Sequence, residues 1–457
     1  MGIPFFFMWY DHSKRFAVSS GRFHSKESRM QIRFLSSLMA MAGIAFLLAA
    51  PAAHAESGMT TCNPRTYGAK GNGVTKDTAA IQHTIDACAR RGGGTVLLTP
   101  GTYLSAPIVL KSNITLKLEK GATLLGSPDF NDYPAITEFR APGRQSLVSA
   151  NDAANITIEG EGVINGNGAP WWKMARRHKN TGVMGSQYTR PRLIVFQHCK
   201  HVLLQGITVE NSPMWQIVPY YSDGVTIRNI HVLAPQHAPN TDAIDPFSSS
   251  HVLIEHVVAN VGDDDIAIKS GEANSPGPDA PSTYITIRDC VFLHGHGLSI
   301  GSEIAGGAQH ILAENITMTG TDNGIRVKAN RDRGNDVSDL VFKNIQMKNV
   351  KNALIISEFY PHIYPPMPDN PAPVTRLTPH FHGITVENVT AVNSKNAGAI
   401  AGLPEAPIRN VVLNQVSIDA QTGLVISNAQ VTASHLVVHV QKGPAIQQLA
   451  GARLTMH

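Results

Sequence analysis

The sequence is poor in cysteine and in aromatic residues. Its 457 residues include only 4 Cys and 6% aromatic side chains. Four cysteines in a chain of this length do not make a disulfide scaffold, and no Cys/His cluster has the spacing of a zinc site. Cys62 and Cys88 could pair after export, whereas Cys199 and Cys290 lie in strand-like runs and are expected to be buried thiols.

Net charge is also low, because charged residues make up only 16% of the chain and the formal charge is +4. Residues 1–55 hold six of the basic side chains and two of the acidic ones, so the remainder carries a formal charge of zero. A protein without an excess of positive charge has no general attraction for nucleic acid. No nucleic-acid partner is therefore expected.

Long hydrophobic runs are absent, and the apolar run from Leu38 to Ala50 is too short to span a bilayer as a helix. Together with Arg33 before it and Ala53-His54-Ala55 after it, this run predicts a secretory signal peptide. We expect a leader over residues 1–55 with the signal peptide at 30–55, and cleavage after Ala55. The true start, Met1 or Met30, stays open. The mature protein, residues 56–457, is expected to be secreted or periplasmic and to have no membrane anchor.

An internal repeat organises the mature chain. Nine-residue segments with alternating apolar and polar residues recur, each followed by a corner rich in Gly, Asn or Asp. The copies begin at Asn113, Asn155, His201, Gly224, His251, Tyr284, His310, Asp339, Gly383, Asn410 and Gln430. Because one such unit cannot bury its apolar face alone, the units must stack.

This repeat predicts an all-β fold, a single-stranded right-handed parallel β-helix of about ten coils. The segment from Asp77 to Arg91 has the apolar spacing of an amphipathic helix and is expected to cap the N-terminal end. A β-propeller is the alternative, but the interval between copies is too short for a four-stranded blade.

Stacking would bring four polar clusters close together, because residues separated by the length of one coil in the sequence become neighbours in space. The clusters are spaced by about one coil each, and they are Asn240-Thr241-Asp242, Gly262-Asp263-Asp264-Asp265, Gly295-His296-Gly297 and Arg326-Val327-Lys328. Closely stacked carboxylates raise one another's pKa, which suits a general acid beside a general base. Glycoside hydrolysis uses such a pair, and the cationic cluster would bind a carboxylate on a uronic-acid polysaccharide. Taken alone, each cluster could be a turn or a set of surface charges.

The four clusters resemble the motifs of the polygalacturonase family of glycoside hydrolases, family 28. That family carries Asn-Thr-Asp, Asp-Asp, Gly-His-Gly and Arg-Ile-Lys in this order, and the one departure here is Val327 in place of Ile. The resemblance extends from the TYGAKGNGVTKDTAAIQ segment at Thr66 to GITVENVTA at Gly383. It includes GVINGNGAPWW, ending at Trp172, and ENSPMWQI, beginning at Glu210.

The resemblance implies a role for each catalytic residue. Asp263 would be the proton donor, and Asp242 and Asp264 would together hold the attacking water. His296 would tune the protonation of the donor. The acid Asp265 follows the pair, and the IAIKSG run fixes the register that makes Asp263 and Asp264 the matching residues.

The resemblance also implies the substrate. Arg326 and Lys328 would grip the carboxylate of a galacturonate unit, and Tyr360 looks like the family's substrate-contacting tyrosine. The expected partner is therefore a pectic polysaccharide, polygalacturonate, bound by a monomer that needs no cofactor and no metal.

The predicted reaction is inverting acid/base hydrolysis of α-1,4-galacturonosidic bonds. We expect endo action, because no accessory domain precedes the Thr66 region and a compact chain suits an open groove. Exo action, and hydrolysis of rhamnogalacturonan or xylogalacturonan, stay open. A pectate lyase would instead use the Asp263-Asp264-Asp265 run as a calcium cluster. A β-helical rod that only binds polysaccharide is the non-enzymatic alternative.

Overall fold

Parallel strands dominate the computed structural model, which describes residues 60–180, 188–366 and 370–457. The described residues belong to one compact unit, Ser57–His457. The predicted leader and its cleavage site lie outside the described residues, so both stay predictions.

The described elements are two α-helices, two short 3₁₀-helices and thirty-three strands. The helices are α1 (Thr78–Arg90) and α2 (Ala169–Asn180), with 3₁₀ turns at Pro64–Tyr67 and Phe130–Asp132. The strands up to residue 233 are β1 (Thr61–Cys62), β2 (Asn72–Lys76), β3 (Gly94–Leu98), β4 (Gly101–Ser105), β5 (Ile108–Leu110), β6 (Ile114–Leu118), β7 (Ala122–Gly126), β8 (Ala135–Glu138), β9 (Ala141–Arg144), β10 (Val148–Asn151), β11 (Ala154–Gly160), β12 (Val163–Asn165), β13 (Ile194–Gln197), β14 (Lys200–Gln205), β15 (Thr208–Glu210), β16 (Ile217–Tyr220), β17 (Asp223–Arg228) and β18 (His231–Leu233). The strands that follow are β19 (Ser250–Glu255), β20 (Val258–Asn260), β21 (Ile266–Ile268), β22 (Ser282–Arg288), β23 (Val291–Leu293), β24 (Leu298–Ile300), β25 (Ala308–Thr319), β26 (Asn323–Lys328), β27 (Asp336–Lys348), β28 (Asn352–Ser357), β29 (His380–Ala401), β30 (Ile408–Ser427), β31 (Ala429–Val440), β32 (Ile446–Gln448) and β33 (Arg453–Met456).

The strands form three parallel ladders that run along the molecule. The first ladder contains the stacked pairs β3–β6, β6–β11, β11–β14 and onwards to β31–β33. The second begins with β2–β4 and β4–β7 and continues through β12, β15, β18, β20 and β23. The third passes from β5 through β10, β13 and β16, and single bridges at Ile244 and Phe247 connect it to β21, β24, β26 and β28. From β25 onwards, one long strand in each coil supplies both the first and the second ladder.

The predicted repeat is the unit that stacks. On the first ladder Val202, Val225, Val252, Ile285 and Ile311 are successive register partners, and each comes from the next copy of the repeat. All five side chains are buried in the core enclosed by the ladders. Strand-to-strand connections of this kind are right-handed. The predicted right-handed parallel β-helix is therefore confirmed.

The N-terminal helix α1 packs against β1, β3, β5 and β6, the strands that open the coil stack. Ile81, Ile85 and Cys88 form its buried face, while Ala79 is exposed. The helix begins at Thr78, and the Asp77 side chain before it accepts hydrogen bonds from the backbone of the preceding loop.

Two elements depart from the repeat, and the sequence pattern predicts neither. Helix α2 follows β12, and its Trp171 is fully buried with its ring stacked on Phe130 at 4.0 Å between centroids. Strands β8 and β9 form an antiparallel hairpin between β7 and β10. Both elements lie in loops that lead from the second ladder to the third, which we call entry loops.

Asparagine side chains stack at corners of the β-helix, where the chain passes from one ladder to the next. Asn315, Asn344 and Asn388 lie on successive coils, and all three have positive φ values of 50–56°. Asn tolerates this left-handed conformation better than most residues. The Asn344 amide donates to Asn315 at 3.0 Å, and the Asn388 amide donates to Asn344 at 2.8 Å. Asn155 donates to Asn113 in the same way at 2.9 Å.

The structure has all four cysteines as buried free thiols. The sulfur atoms of Cys62 and Cys88 are 2.6 Å apart, and the pairing of these two after export stays a prediction. Cys199 and Cys290 are buried thiols inside the core. None of the helices in the described residues is long and apolar enough to cross a membrane.

Candidate active site

The predicted site residues come together on the outer face of the third ladder. Ile244, Ile266, Leu298 and Ile325 are register partners there, so they mark four consecutive coils. In the order of these coils the predicted residues are Asp242, then Asp263 and Asp264, then His296, and then Arg326 and Lys328. The outer face of the third ladder lies between two sets of loops, and we call this strip of the molecule the groove. Its two walls are the entry loops and the exit loops, the latter leading from the third ladder back to the first.

Asp264 is held between two cations. Its Oδ1 accepts hydrogen bonds from Ser299 Oγ at 3.0 Å and from Arg326 Nη2, and its Oδ2 accepts one from Lys328 Nζ at 2.8 Å. Burial would raise the pKa of this carboxyl, but Arg326 and Lys328 hold that pKa well below its usual value. Asp264 is therefore ionised throughout the physiological pH range.

Asp263 forms a pair with His296. The His296 Nδ1 atom lies 2.8 Å from Asp263 Oδ1, and the two side chains are 35% and 21% exposed, so both reach the groove. Burial lowers the pKa of His296, but the hydrogen bond and the charge of Asp263 raise it above its usual value. The imidazole ring is therefore protonated up to a higher pH than a free histidine.

The glycines on both sides of His296 are required by close backbone approach. Gly295 and Gly297 both have φ of +83°. A Cβ atom on Gly297 would lie 2.0 Å from Asn323 O, and one on Gly295 would lie 2.7 Å from Asp265 Oδ2. The Gly297 N–H donates to Asp265 Oδ2 at 3.0 Å. Asp265 thus supports the turn from the buried side, while Asp263 reaches the groove and Asp264 lies beneath Arg326 and Lys328.

Asp242 lies in a buried acidic group with Asp245. Its Oδ2 is 3.9 Å from Lys269 Nζ, and its Oδ1 accepts no hydrogen bond from the described residues. Burial raises the pKa of Asp242 well above its usual value, and the charges of Asp263 and Asp245 raise it further. Burial also raises the pKa of Asp245, although Lys269 opposes this shift.

The entry loop that carries Asp242 is fixed by a buried arginine. Arg190 donates to Pro239 O at 2.7 Å, to Pro213 O at 2.8 Å and to Asn240 Oδ1 at 2.6 Å. Burial lowers its pKa to about 10. Arg190 therefore positions Asn240 and, two residues later, Asp242.

The exit loops supply a second set of charges opposite these carboxylates. Glu303 lies 3.2 Å from Lys269 and 3.3 Å from Arg333. Burial would raise the pKa of Glu303, but Lys269 and Lys328 lower it to about 2. Tyr360 lies on the same side, with its ring centroid 5.4 Å from Lys328 Nζ and 5.6 Å from Arg333 Cζ. The structure thus brings Tyr360 next to the predicted cationic pair.

Sequence reasoning did not identify three charged residues of this centre, Asp245, Lys269 and Glu303. The sequence offered a hint for two of them, because Asp245 lies three residues after Asp242 and Lys269 lies in the run that sets the register. Glu303 follows His296 by seven residues, across β24. Each of them lies beside an apolar strand, where sequence alone does not separate a site residue from a surface charge.

One cluster in the described ranges has the geometry of a cation site. Asp263, Asp264 and His296 each place one ligand atom within 4.8 Å of the others. However, both oxygens of Asp264 already accept hydrogen bonds from cationic side chains. A divalent ion at this point would be repelled by Arg326 and Lys328 on the next coil. The residues therefore do not fit a calcium site of the kind that a lyase would need.

Known proteins support the resemblance noted in the sequence. The family model of glycosyl hydrolases family 28 matches residues 91–435. A probable polygalacturonase of Vitis vinifera is 30% identical over 372 residues, which covers 77% of this chain and 73% of that protein. An endo-polygalacturonase of Pectobacterium carotovorum is 31% identical over 62% of this chain and 72% of its own length.

A solved structure agrees with these relatives. It is that of an exopolygalacturonase from Thermotoga maritima, with a TM-score of 0.68, 27% identity, and coverage of 87% of this chain and 91% of that one. The family match spans the coils that carry Asp242, Asp263, His296 and Arg326. The chain therefore belongs to glycosyl hydrolases family 28 and is a glycosidase.

Proposed function

We propose that this protein hydrolyses the α-1,4-galacturonosidic bonds of polygalacturonate by an inverting acid/base mechanism. The observation that carries the proposal is the Asp263–His296 pair, which faces the groove with Asp242 on the coil before it and the Arg326–Lys328 pair on the coil after it. The polygalacturonases among its relatives support pectin as the substrate class.

Asp263 is the proton donor in this proposal. It reaches the groove surface, whereas Asp242 and Asp264 have side chains that are 4% and 2% exposed. When Asp263 gives its proton to the leaving oxygen it becomes a carboxylate. Protonated His296, 2.8 Å away, then stabilises that new charge. A group that stabilises charge as it forms lowers the barrier of the step.

Asp242 is the base that activates water. Its Oδ1 has no partner among the described residues, and a carboxylate with a raised pKa is a stronger base than an ordinary one. Asp264, in contrast, has a lowered pKa and both oxygens occupied. In this proposal Asp264 orients the water and holds Arg326 and Lys328 in place, while Asp242 takes the proton.

Arg326 and Lys328 bind the carboxylate of a galacturonate unit. Both side chains donate hydrogen bonds to Asp264, and Arg326 also donates one to Ser299. Because a guanidinium has five N–H donors and an ammonium has three, each side chain keeps donors for the substrate. Lys328 Nζ lies 5.4 Å from the centroid of the Tyr360 ring, which forms part of the exit-loop wall. A methyl ester would remove the charge that these donors recognise.

The experiment is an assay of reducing ends released from polygalacturonate and from highly esterified pectin. We expect Lys328→Ala to lower kcat/KM on polygalacturonate by about 10- to 100-fold, since a charge-assisted hydrogen bond is worth about 1.5–3 kcal/mol. Lys343→Ala, which breaks a surface ion pair with Glu314 of 2.9 Å on the first ladder, is the matched control. Equal cleavage of free and esterified polymer by the wild type would contradict the proposal.

The lyase alternative is tested in the same assay. Elimination creates an unsaturated product that absorbs in the ultraviolet, and a lyase of this kind would be stopped by EDTA, whereas hydrolysis shows neither effect.

We further propose that the enzyme acts outside the cytoplasm, either secreted or periplasmic, and that it works as a monomer. Size-exclusion chromatography of the purified protein tests the second point.

A further inference from the structure

One ion pair crosses the groove from wall to wall. Arg140 lies at the tip of the β8–β9 hairpin, which belongs to the entry loop between β7 and β10. Its Nη1 atom lies 2.7 Å from Asp279 Oδ1, and Asp279 belongs to the exit loop between β21 and β22. The guanidinium also donates to Tyr221 Oη at 3.2 Å and to Pro278 O at 3.4 Å. The two walls therefore meet at this point.

The groove floor beneath this bridge is covered as well. Val195 and Val218 are register partners on the third ladder, and they face outward, away from the core. The Phe139 ring, at the hairpin tip, packs with them and lies 4.2 Å from the Tyr220 ring and 5.5 Å from the Phe247 ring. Only 4% of Phe139 is exposed, so the hairpin tip is a packed plug rather than a loose flap.

The plug is fastened by a buried ion pair. Glu138, next to Phe139, accepts a hydrogen bond from Arg192, and the two side chains are only 3% and 11% exposed. Arg192 in turn lies 4.0 Å from the Phe139 ring and 4.3 Å from the Trp215 ring. Breaking such a pair would leave a buried charge without a partner. The Glu138–Arg192 pair therefore holds the hairpin tip against the outer face of the third ladder.

The plug lies next to the catalytic carboxylates. Phe247, which touches Phe139, is on the coil of Asp242. The Trp215 ring lies 4.9 Å from Lys269 Nζ, and that nitrogen lies 3.9 Å from Asp242. Because coils are about 4.8 Å apart, the space left between Asp242 and the plug is short compared with a polymer.

The opposite end of the site is built differently. Lys351 pairs with Asp322 within the entry-loop wall, and Arg331 pairs with Glu405 within the exit-loop wall. Each of these two ion pairs joins residues of the same wall, unlike the Arg140–Asp279 pair, which joins one wall to the other.

We propose that the Arg140–Asp279 bridge and the Phe139 plug make this enzyme exo-acting, so that it releases one short product, mono- or digalacturonate, from a chain end. The inference rests on the hydrolysis proposed above, and it favours exo action over the endo action expected from the sequence. A polymer can enter from the Arg326 side and must stop at the plug.

The arrangement also selects the chain end. Water attacks the anomeric carbon of the sugar that stays with the non-reducing part of the chain. In the proposed mechanism Asp242 activates that water, and Asp242 lies on the plug side of Asp263. The sugar between the plug and Asp263 is therefore the non-reducing end, and products leave from that end.

The test is the product profile of the wild type on polygalacturonate and on oligogalacturonides labelled at the reducing end. We expect one unlabelled short product from the earliest times and little loss of viscosity for each bond cleaved. A ladder of oligomers at early times with a rapid fall in viscosity would overturn the proposal. Labelled short products would overturn it too. Absence of any reducing-end release would instead refute the proposed hydrolysis.

Two variants test the plug directly. Arg140→Ala removes the ion pair with Asp279, and the Arg140 side chain is 46% exposed, so the change should not disturb the core. Replacement of residues 137–142 by a short glycine linker removes the plug. We expect both to release longer oligomers than the wild type, the linker variant more strongly, while Lys343→Ala keeps the wild-type profile. An unchanged profile in an active Arg140→Ala variant and an active linker variant would overturn the proposal. If the linker variant does not fold, the product profile of the wild type on the end-labelled oligogalacturonides decides alone.

Discussion

Asp264→Asn should damage stability as well as activity, which separates this residue from its neighbour Asp263. Asp264 is 2% exposed and accepts hydrogen bonds from Arg326, Lys328 and Ser299. The substitution leaves two buried cations without a counter-charge. Removing one partner of a buried ion pair costs about 3–5 kcal/mol. In a chain of this size we expect a fall in Tm of roughly 3–10 °C.

Asp263→Asn is the matched comparison. Asp263 is 21% exposed and its side chain contacts one charged partner, His296, which is itself 35% exposed. Its loss should leave Tm within about 2 °C of the wild type, because surface changes are small on this scale. Removing the proton donor should nevertheless lower kcat by about 10²- to 10⁴-fold. Thermal unfolding followed by circular dichroism, together with reducing-end assays, measures both effects.

The pH dependence supplies a second check on Asp264. Its pKa is lowered in the folded protein, so its contribution to stability is present above the pKa of an unfolded aspartate, about 3.9, and is lost as pH falls below that value. The Tm difference between the wild type and Asp264→Asn should therefore be constant from neutral pH down to about pH 4 and shrink below it. Equal Tm values for the two proteins at pH 7 would refute the reasoning.

Three further predictions concern other parts of the chain. His296→Ala should lower kcat by about 10- to 100-fold. It should also remove the alkaline limb of the pH profile, because we assign that limb to the loss of the proton from His296, whose pKa is raised. Peptide mapping without reductant should show Cys62 joined to Cys88, and reduction should cost about 3–4 kcal/mol for this span of 26 residues. Mass analysis of the exported protein should give Glu56 as the first residue, and a mature form that keeps Leu47 would contradict the cleavage after Ala55.

The coil stack could be predicted because one periodicity governs it. Alternating apolar residues in segments such as those at His201 and Gly224 must face one core, and a slip of one residue would turn them outward. Register partners such as Val202 and Val225 follow directly from that constraint. The same constraint brings Asp242, Asp263 and His296 onto consecutive coils, although they are far apart in sequence.

The parts that escaped prediction have no periodicity. The β8–β9 hairpin and Asp279 meet across 139 residues through one ion pair, and no local pattern marks either partner. Helix α2 depends on the burial of Trp171 against Phe130, which is a tertiary contact. Insertions between repeats are placed by such contacts, and therefore the mode of attack is harder to infer from sequence than the chemistry.

The asparagine corners have a consequence for producing this enzyme. Asn113, Asn155, Asn315 and Asn388 each begin an Asn-x-Thr acceptor sequence for N-linked glycans. In the folded protein the Asn155 and Asn388 amide nitrogens donate to the asparagine of the preceding coil, at 2.9 Å and 2.8 Å. A eukaryotic secretory host attaches glycans to this same nitrogen before folding is complete. Each glycan would then occupy a corner where two coils must approach, so a yeast or insect host should yield less folded enzyme than export into a bacterial periplasm.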